Sequence, residues 1–418
     1  MTAGRPFTAP DDRPTPRRWV VVAESPFIPS DGGTEREHFG FLEAATAAGL
    51  VSAVVVPVDP DLKAVNRQDD LPAIERLISP ARLIVVPRRR GLWRALTWRL
   101  PYVVASRPAP SDLVDKIRAA APDADGVVVF AYKSHELGRV IAEGLGLPAI
   151  VRFHNLEGTY YRALADSASP PRSWAIRMEA ARIDADERRL ERSGWLRAIV
   201  DISASDATIR GSRSRVPVEH LPSFALGGLQ GAGQPNREPS EIPSVVFLGS
   251  LDVATNHDSL AWFADRVWPR VRAKRPEARW LVVGRRPTTA VRELVHSLSG
   301  AELHADVPDP SVFLRQAHLA VNPAVSGSGV NIKLIDYLAA GVPVVSTQRG
   351  MSGLGLAAGR DLVVADEPET FASEVLSLLA DHGAAERLGS TGRQTALSIL
   401  DVETSLRRMG TLLAPSRG

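Results

Sequence analysis

Short runs of apolar, mostly β-branched residues alternate along the chain with segments of helical spacing. The first run is WVVVA (19–23), and a Gly-containing loop then leads into a segment where Phe39, Leu42 and Ala45 recur at helical intervals. The same alternation returns in SAVVVPV, RLIVVP, GVVVFA and PAIVRF. Continuous apolar runs are typical of strands buried on both faces of a parallel sheet. The pattern predicts the βαβ units of a doubly wound α/β domain, and the spacing of Thr34 and Glu37 predicts a capping box at its first helix.

A second series of the same kind follows a break in composition. The segment ALGGLQGAGQPNREPSEIP, which begins at Ala225, has no apolar periodicity and is predicted to be a linker. Beyond it, SVVFLGS, RWLVVG, LAVNPA and PVVST are strand-like, and two to three helices close the chain. The predicted organisation is a disordered N-terminal lead (1–18), a Rossmann-like domain (19–225), a linker (226–243), a second Rossmann-like domain (244–400) and a C-terminal helix (401–418).

Composition narrows the class of partner. The chain has 50 Lys and Arg against 48 Asp and Glu, so its global charge of +2 does not favour nucleic acid. It has no Cys, which excludes disulfides and thiolate sites and fits a reducing compartment. The first 18 residues have no apolar core, and no apolar run approaches the roughly 18 residues that span a bilayer. We therefore expect a cytoplasmic protein without a signal peptide.

The stretch from Asn322 to Leu354 carries the most chemical information. The strand-like LAVNP ends in Pro323, and SGSG (326–329) forms a tight loop before a helix. The N-terminal N–H groups of such a helix point at the loop and suit a phosphate or pyrophosphate. Lys333 and Asp336 lie three residues apart on one helix face, so one can meet a phosphate and the other a sugar hydroxyl. A Gly-rich strand-to-helix turn is also a routine connection that binds nothing, and both interpretations stay open here.

A family resemblance rests on four segments. GSGVNIKLIDYLAAGVPVVST, followed by GMSGL, resembles the donor-binding signature of retaining GT-B glycosyltransferases, in particular glycosyltransferase family 4. Residues 247–287 resemble the opening of the same domain, SPFIPSDGG resembles the family's first glycine loop, and RFHNLEGTYYRALA its acceptor-side histidine segment. The resemblance implies a GT-B fold, in which two Rossmann-like domains face a central cleft. The first domain is then expected to bind the acceptor and the second the nucleotide-sugar donor, with the C-terminal helix packing back on the first domain. The resemblance also implies a nucleotide-diphosphate sugar as co-substrate, a hydroxyl acceptor, and neither a metal nor another cofactor.

The resemblance assigns the site residue by residue, with two departures. Of the two family glutamates that flank the donor, the second aligns with Asp336, expected to hold the ribose hydroxyls. The first aligns with the uncharged Ser328. The family's Arg and Lys after the first strand of the donor domain fall near Ser250 and Thr255 and are missing. Phosphate neutralisation is then left to Lys333 and to Arg285 or Arg286. The residues assigned to catalysis are His154, Lys333 and Asp336, and those assigned to substrate binding are Gly32, Gly33, Asn155, Arg285, Gly327, Ser328, Gly329, Val330 and Asn331.

Each assignment has a structural alternative. His154 and Asn155 follow PAIVRF at the carboxyl end of a strand, where active sites of open α/β sheets gather, but local hydrogen bonds can also satisfy a histidine there. Gly32 and Gly33 allow close approach of a phosphate or sugar, or form a plain turn. The Arg- and Trp-rich segment Arg88 to Arg99 suits an anionic membrane surface or an acidic acceptor, or is a solvated helix whose Trp residues cover the core.

Three functions remain compatible with the sequence. The first is a retaining glycosyltransferase that uses a nucleotide-diphosphate sugar. The second is a catalytically silent subunit that binds the nucleotide, which the uncharged Ser328 suggests. The third is another GT-B chemistry, such as a sugar-nucleotide epimerase. The donor nucleotide, the sugar, the acceptor and the oligomeric state are not determined by the sequence.

Overall fold

The structure, a computed structural model, describes residues 18–28, 32–59, 71–89, 100–166, 168–225, 237–326 and 330–414. Several predictions therefore fall outside the described residues: the N-terminal lead before residue 18, the linker over 226–236, the loop residues Gly327, Ser328 and Gly329, residues 90–99 of the Arg- and Trp-rich segment, and residues 415–418.

Two parallel sheets organise the described chain. The first contains β1 (Trp19–Val22), β2 (Val51–Val58), β3 (Arg82–Pro87), β4 (Gly126–Val129), β5 (Ala149–Phe153), β6 (Leu196–Asp201) and β7 (Val218–His220), in the order β3-β2-β1-β4-β5-β6-β7. The second contains β8 (Ser244–Ser250), β9 (Arg279–Arg285), β10 (Ala301–Ala305), β11 (Leu319–Asn322), β12 (Val344–Ser346) and β13 (Val363–Val364), in the order β10-β9-β8-β11-β12-β13. The predicted fold class of two doubly wound α/β domains is confirmed.

Helices cover both faces of each sheet. Those beside the first sheet are Gly33–Ala47, Leu71–Ile78, Tyr102–Ala105, Leu113–Ala120, His135–Leu145, Glu157–Asp166, Arg172–Leu190 and Ala204–Gly211. Those that follow in the second half are Ala254–Trp262, Trp268–Lys274, Thr289–His296, Ser311–Gln316, Ile332–Ala339, Gln348–Met351, Pro368–Ala380, His382–Ile399 and Val402–Leu413. Since both sheet faces are covered, β1 and β4 are buried at every position, which is why their sequences are continuously apolar. None of the helices in these ranges is long and apolar enough to cross a membrane.

The last helix, Val402–Leu413, packs on the first sheet. Its side chains Leu406, Met409 and Leu413 lie in the same buried cluster as the apolar residues of β1 and of helix Gly33–Ala47. The side chain of Leu413 contacts the backbone at Gly126, where a Cβ atom would lie 3.1 Å from Leu413 Cδ1. Arg408 also donates to Glu219 on β7 at 2.7 Å. The chain thus returns to the first sheet after completing the second.

The prediction of a capping box at Thr34 is wrong. Helix Gly33–Ala47 begins after the extended residue Gly32, and no side chain caps it. The carboxylate of Glu37 is used elsewhere: Arg152 donates to its Oε1 at 2.7 Å, and the backbone N–H of Phe224 donates to its Oε2 at 2.6 Å. A buried ion pair needs such additional hydrogen bonds to offset the loss of water. This tertiary pairing removes Glu37 from the local cap and fixes the helix against β5.

Candidate functional site

A cleft of about 960 Å³ lies between the two domains. In both sheets the strand order reverses beside the first strand, between β1 and β4 and between β8 and β11. Ligands of open α/β sheets bind outside the carboxyl ends of the strands at such switch points. The cleft is bounded by the loop at Gly32 and Gly33 on one side and by residues 330–336 on the other. The described residues therefore place a ligand-sized space where this topology favours one.

The second-domain wall of the cleft is formed by helix Ile332–Ala339. Leu334, Ile335 and Leu338 are buried against the sheet, and the hydroxyl of Tyr337 accepts a hydrogen bond from the backbone N–H of Leu248 at 2.7 Å. Because those positions face inward, Lys333 and Asp336 are left on the cleft side, one helical turn apart. The helix N-cap is Asn331, whose amide donates to the carbonyl of Gly350 at 3.2 Å.

The side chain of Lys333 forms its hydrogen bond with an uncharged partner. Its Nζ donates to the amide oxygen of Asn256 at 2.5 Å and lies 4.5 Å from the centroid of the Phe247 ring. Burial lowers the pKa of Lys333 to about 7. At neutral pH the ammonium is therefore only partly charged, and an anion beside it would favour the protonated form.

Arg36 and Asp336 form a bidentate ion pair that joins the two domains. Nη1 of Arg36 donates to Oδ2 of Asp336 at 2.6 Å, and Nη2 donates to Oδ1. The Arg36 side chain is 30% exposed and the Asp336 side chain 12%. Burial acts to lower the pKa of Arg36, but the carboxylate of Asp336 outweighs burial and the pKa is raised. Both oxygens of Asp336 are thus occupied by a residue of the opposite wall.

Two further contacts bring the domains together. A Cβ atom on Gly33 would lie 3.1 Å from Cγ1 of Ile332, so the glycine loop touches the start of the opposite helix. The backbone N–H of Ala204 donates to the carbonyl of Gly353 at 3.3 Å. With the Arg36–Asp336 pair, these contacts describe a closed cleft.

The first-domain wall contains a pair of buried histidines. His154 is 7% exposed and lines the cleft, and the centroid of its ring lies 5.5 Å from that of His38. Burial lowers the pKa of His154 well below its usual value, so the ring is neutral at pH 7. Its Nε2 is buried and has no hydrogen-bond partner in the structure. A neutral imidazole of this kind can form one hydrogen bond with a ligand hydroxyl, as donor or as acceptor.

A cluster of charged residues lies at the carboxyl ends of β1 and β4. Nζ of Lys133 donates to Oε1 of Glu24 at 2.6 Å, and Arg107 donates from Nε to the carbonyl of Glu24 at 3.0 Å. Burial acts to raise the pKa of Glu24, but Lys133 and Arg107 outweigh burial and the pKa is lowered. Burial raises the pKa of the nearby Glu157 to about 7, against the opposing effect of Lys133. Glu157 is thus partly protonated at neutral pH, beside the cleft-lining Tyr160.

Comparisons with known proteins bear on the second domain and on the fold. Residues 242–381 match the family described as glycosyl transferases group 1. The second domain is thus similar to glycosyltransferase domains of this group. An uncharacterised 44.6 kDa protein in the cps region of Klebsiella pneumoniae is 28% identical over 141 residues, which cover 32% of this chain and 36% of that protein. The match thus spans about a third of that relative's length.

Solved structures share the whole two-domain arrangement. TarM of S. aureus superposes with a TM-score of 0.66 at 10% identity, over 95% of this chain and 98% of TarM. Sucrose-phosphate synthase from Thermosynechococcus elongatus gives 0.63 at 15% identity over 95% and 98%. HepE from Anabaena, in complex with UDP-glucose, gives 0.60 at 12% identity over 95% and 99%. The chain therefore has the GT-B fold that the sequence predicted.

The structure places the described candidate residues together. Those on the first-domain wall are Gly32, Gly33, His154 and Asn155, and those on the second-domain wall are Arg285, Arg286, Val330, Asn331, Lys333 and Asp336. Their convergence on one cleft is the condition for a common site, and their roles stay predictions. The guanidinium of Arg286 is bound to Asp252, with Nε 2.8 Å from Oδ2.

Several residues in or near the cleft were not predicted. Arg36 and Asn256 line the cleft, and Glu24, Lys133 and Glu157 lie close to its lining residues His154 and Tyr160. Only Arg36 had a usable signal, because it follows the glycine pair by less than one helical turn in GGTER. The others act through partners far away in sequence, such as Lys133, which lies 109 residues from Glu24.

Proposed function

We propose that the chain is a retaining glycosyltransferase of the family 4 type, which transfers a sugar from a nucleotide-diphosphate donor to an acceptor hydroxyl. The observation that best supports this proposal is that Lys333 and Asp336, in the domain that matches glycosyl transferases group 1, share one cleft with Gly33 and His154 of the first domain. Uridine nucleotides are the first donors to test, because HepE was crystallised with UDP-glucose and a TarM variant with UDP and alpha-GlcNAc-glycerol.

The proposed division of labour follows from charge. The N-terminus of helix Ile332–Ala339 and the ammonium of Lys333 lie where a diphosphate would sit, and both stabilise negative charge that grows on the leaving group. The carboxylate of Asp336, one turn further, would accept hydrogen bonds from the ribose hydroxyls. His154 would bind a hydroxyl of the transferred sugar or the acceptor through its unpartnered Nε2. As in the resembled family, the acceptor proton would pass to the departing phosphate oxygen, so no separate base is assigned.

Release of nucleoside diphosphate tests the proposal. The full chain is incubated with UDP-, GDP- and ADP-sugars, with and without hydroxyl acceptors, and the anomeric configuration of any product is compared with that of the donor by NMR. Transfer with the donor configuration supports a retaining enzyme, and inversion contradicts it. Nucleotide binding without turnover points to the silent subunit, and an isomerised nucleotide sugar points to the epimerase.

Asp336→Ala tests the site itself. Hydrogen bonds to a charged group contribute about 1.5 to 3 kcal/mol, so nucleoside affinity should fall about ten- to a hundredfold. The matched control is Asp115→Ala, since Asp115 is an exposed helical aspartate that pairs with Arg118 far from the cleft. Unchanged nucleoside affinity in a folded Asp336→Ala protein would remove Asp336 from the site.

A further inference from the structure

The ion pair between Arg36 and Asp336 occupies the carboxylate that the proposed function gives to the ribose. Arg36 donates to both oxygens of Asp336 across the cleft, and its Nη2 also lies 3.4 Å from the carbonyl of Ala225. The guanidinium lies on the side of this carboxylate that faces the opposite wall, so a ribose entering the cleft meets an acceptor that is already paired. Movement of Arg36 away from Asp336 would leave both carboxylate oxygens open to the ribose hydroxyls.

The position of Arg36 is set by its neighbour on the helix. Glu37 is buried in the ion pair with Arg152 and points into the first domain. Successive residues of a helix point about 100° apart, so Arg36 is directed away from that core and across the cleft. The backbone under Arg36 is thereby fixed, while its own long side chain is free to change rotamer.

A second anionic partner would lie within reach of the released guanidinium. Lys333 and the start of helix Ile332–Ala339 lie about 4.5 to 6 Å from Asp336 along the helix axis, at about 1.5 Å per residue. A diphosphate bound at that helix N-terminus would present its oxygens at this distance. An arginine side chain spans such a distance by rotation of its torsions, and its fork matches phosphate oxygens bidentately.

The other cleft cations leave room for a further positive charge. Lys333 is held by the amide of Asn256 and Arg286 by Asp252, while Arg285, at the carboxyl end of β9, also lines the cleft. The positions near Ser250 and Thr255, where the resembled family has an Arg and a Lys, carry no charge. A nucleoside diphosphate carries more than one negative charge, so Lys333 does not neutralise it alone even when the lysine is fully protonated.

We propose that Arg36 exchanges partners when the donor binds: the ribose hydroxyls take Asp336, and the Arg36 guanidinium moves to the diphosphate. This inference rests on the proposed function. It makes Arg36 a donor-binding residue supplied by the first domain, so the nucleotide-diphosphate site is complete only when the two domains are together. It also predicts opposite effects of Arg36 on the two halves of the nucleotide.

The test compares a nucleoside with its diphosphate. Binding of uridine and of UDP to the full chain is measured by calorimetry for the wild type, Arg36→Met, Arg36→Lys and the control Arg118→Met, which removes an exposed arginine paired with Asp115. If the chain prefers GDP- or ADP-sugars over UDP-sugars, guanosine and GDP or adenosine and ADP replace uridine and UDP. Thermal unfolding checks that each variant is folded.

The exchange predicts that Arg36→Met binds uridine more tightly, because the ribose no longer competes for Asp336, and binds UDP more weakly. The ratio of UDP to uridine affinity should fall about ten- to a hundredfold, the range of a charge-assisted hydrogen bond. Arg36→Lys should retain most of the UDP preference, and Arg118→Met should resemble the wild type.

Other outcomes would contradict the partner exchange of Arg36, the proposed function, or both. A parallel change in both affinities, or an unchanged ratio, overturns the exchange and leaves Arg36 with a structural role only. A uridine affinity that does not rise in Arg36→Met also overturns it. If the wild type transfers sugar while the ratio is unaffected, only this inference fails. If the wild type binds no nucleotide of the panel, the proposed function fails, and the inference fails with it.

Discussion

Replacement of Lys333 should change how many protons are taken up when a nucleotide sugar binds. Burial lowers the pKa of Lys333 to about 7, so about half of the molecules carry a neutral amine at pH 7. A diphosphate placed beside this group would raise its pKa and bring it to full charge. We therefore expect the wild type to take up about 0.5 proton per nucleotide sugar at pH 7, and about 0.1 at pH 6.

Two variants separate charge from titration. Lys333→Arg stays charged at every accessible pH, so it should bind nucleotide sugar with uptake near zero, and Lys333→Met should bind more weakly, also with uptake near zero. Calorimetry in two buffers of different ionisation enthalpy gives the proton count directly. A wild-type uptake that persists unchanged in Lys333→Met would show that another group titrates and that Lys333 does not meet the phosphates.

The same shift has a consequence for stability. A lysine whose folded pKa is lowered from 10.5 to about 7 destabilises the folded state as the pH falls through that interval. The full shift corresponds to about 5 kcal/mol as an upper limit, which water at the half-buried side chain reduces. Lys333→Met should therefore raise the free energy of unfolding at pH 7, and this gain should disappear near pH 10.5. A gain independent of pH would refute the assignment of burial as its cause.

Two further predictions use residues of the first domain. Burial raises the pKa of Glu157 from 4.5 to about 7, so the native state loses stability as the pH rises through this interval. Denaturant unfolding of Glu157→Gln should show a gain over wild type at pH 8 of up to about 3 kcal/mol that is absent at pH 4.5, and equal gains would contradict it. Gly33→Ala places a Cβ 3.1 Å from Ile332, so closure and kcat should suffer while nucleoside affinity is retained. The control is Gly194→Ala, whose added Cβ would have no atom within 4 Å. An unaltered kcat in Gly33→Ala would show that turnover does not depend on the contact between Gly33 and Ile332.

Local patterns predicted the strands well because their cause is local and strong. Runs such as WVVVA and GVVVFA have no polar position to place in water, so only a strand covered on both faces accommodates them. The end of the helix that carries Lys333 and Asp336 was also predictable from a local cause. Gly341 lies just beyond the last helical residue and has a φ of +67°, a conformation that glycine adopts without strain.

Partners distant in sequence were not predictable from the chain. Arg36 and Asp336 are 300 residues apart, and their contact depends on how the two domains lie against each other. Glu37 was assigned to a local cap because the spacing allowed it, yet Arg152, 115 residues away, takes its carboxylate. A buried guanidinium cannot be left without a counter-charge, and this demand is stronger than a capping bond of about 1 kcal/mol. Periodicity carries no information about such a choice.

The return of helix Val402–Leu413 to the first sheet has a consequence for synthesis on the ribosome. Translation proceeds from the N-terminus, so the strands of the first sheet emerge long before the helix that covers them. Until residue 413 is made, the apolar surface that receives Leu406, Met409 and Leu413 is open to water or to other chains. At about 5 to 20 residues per second, synthesis of the whole second domain delays this step by many seconds. The first domain to be translated is thus the last to be completed, and a premature stop before residue 402 would leave both domains encoded but one of them uncovered.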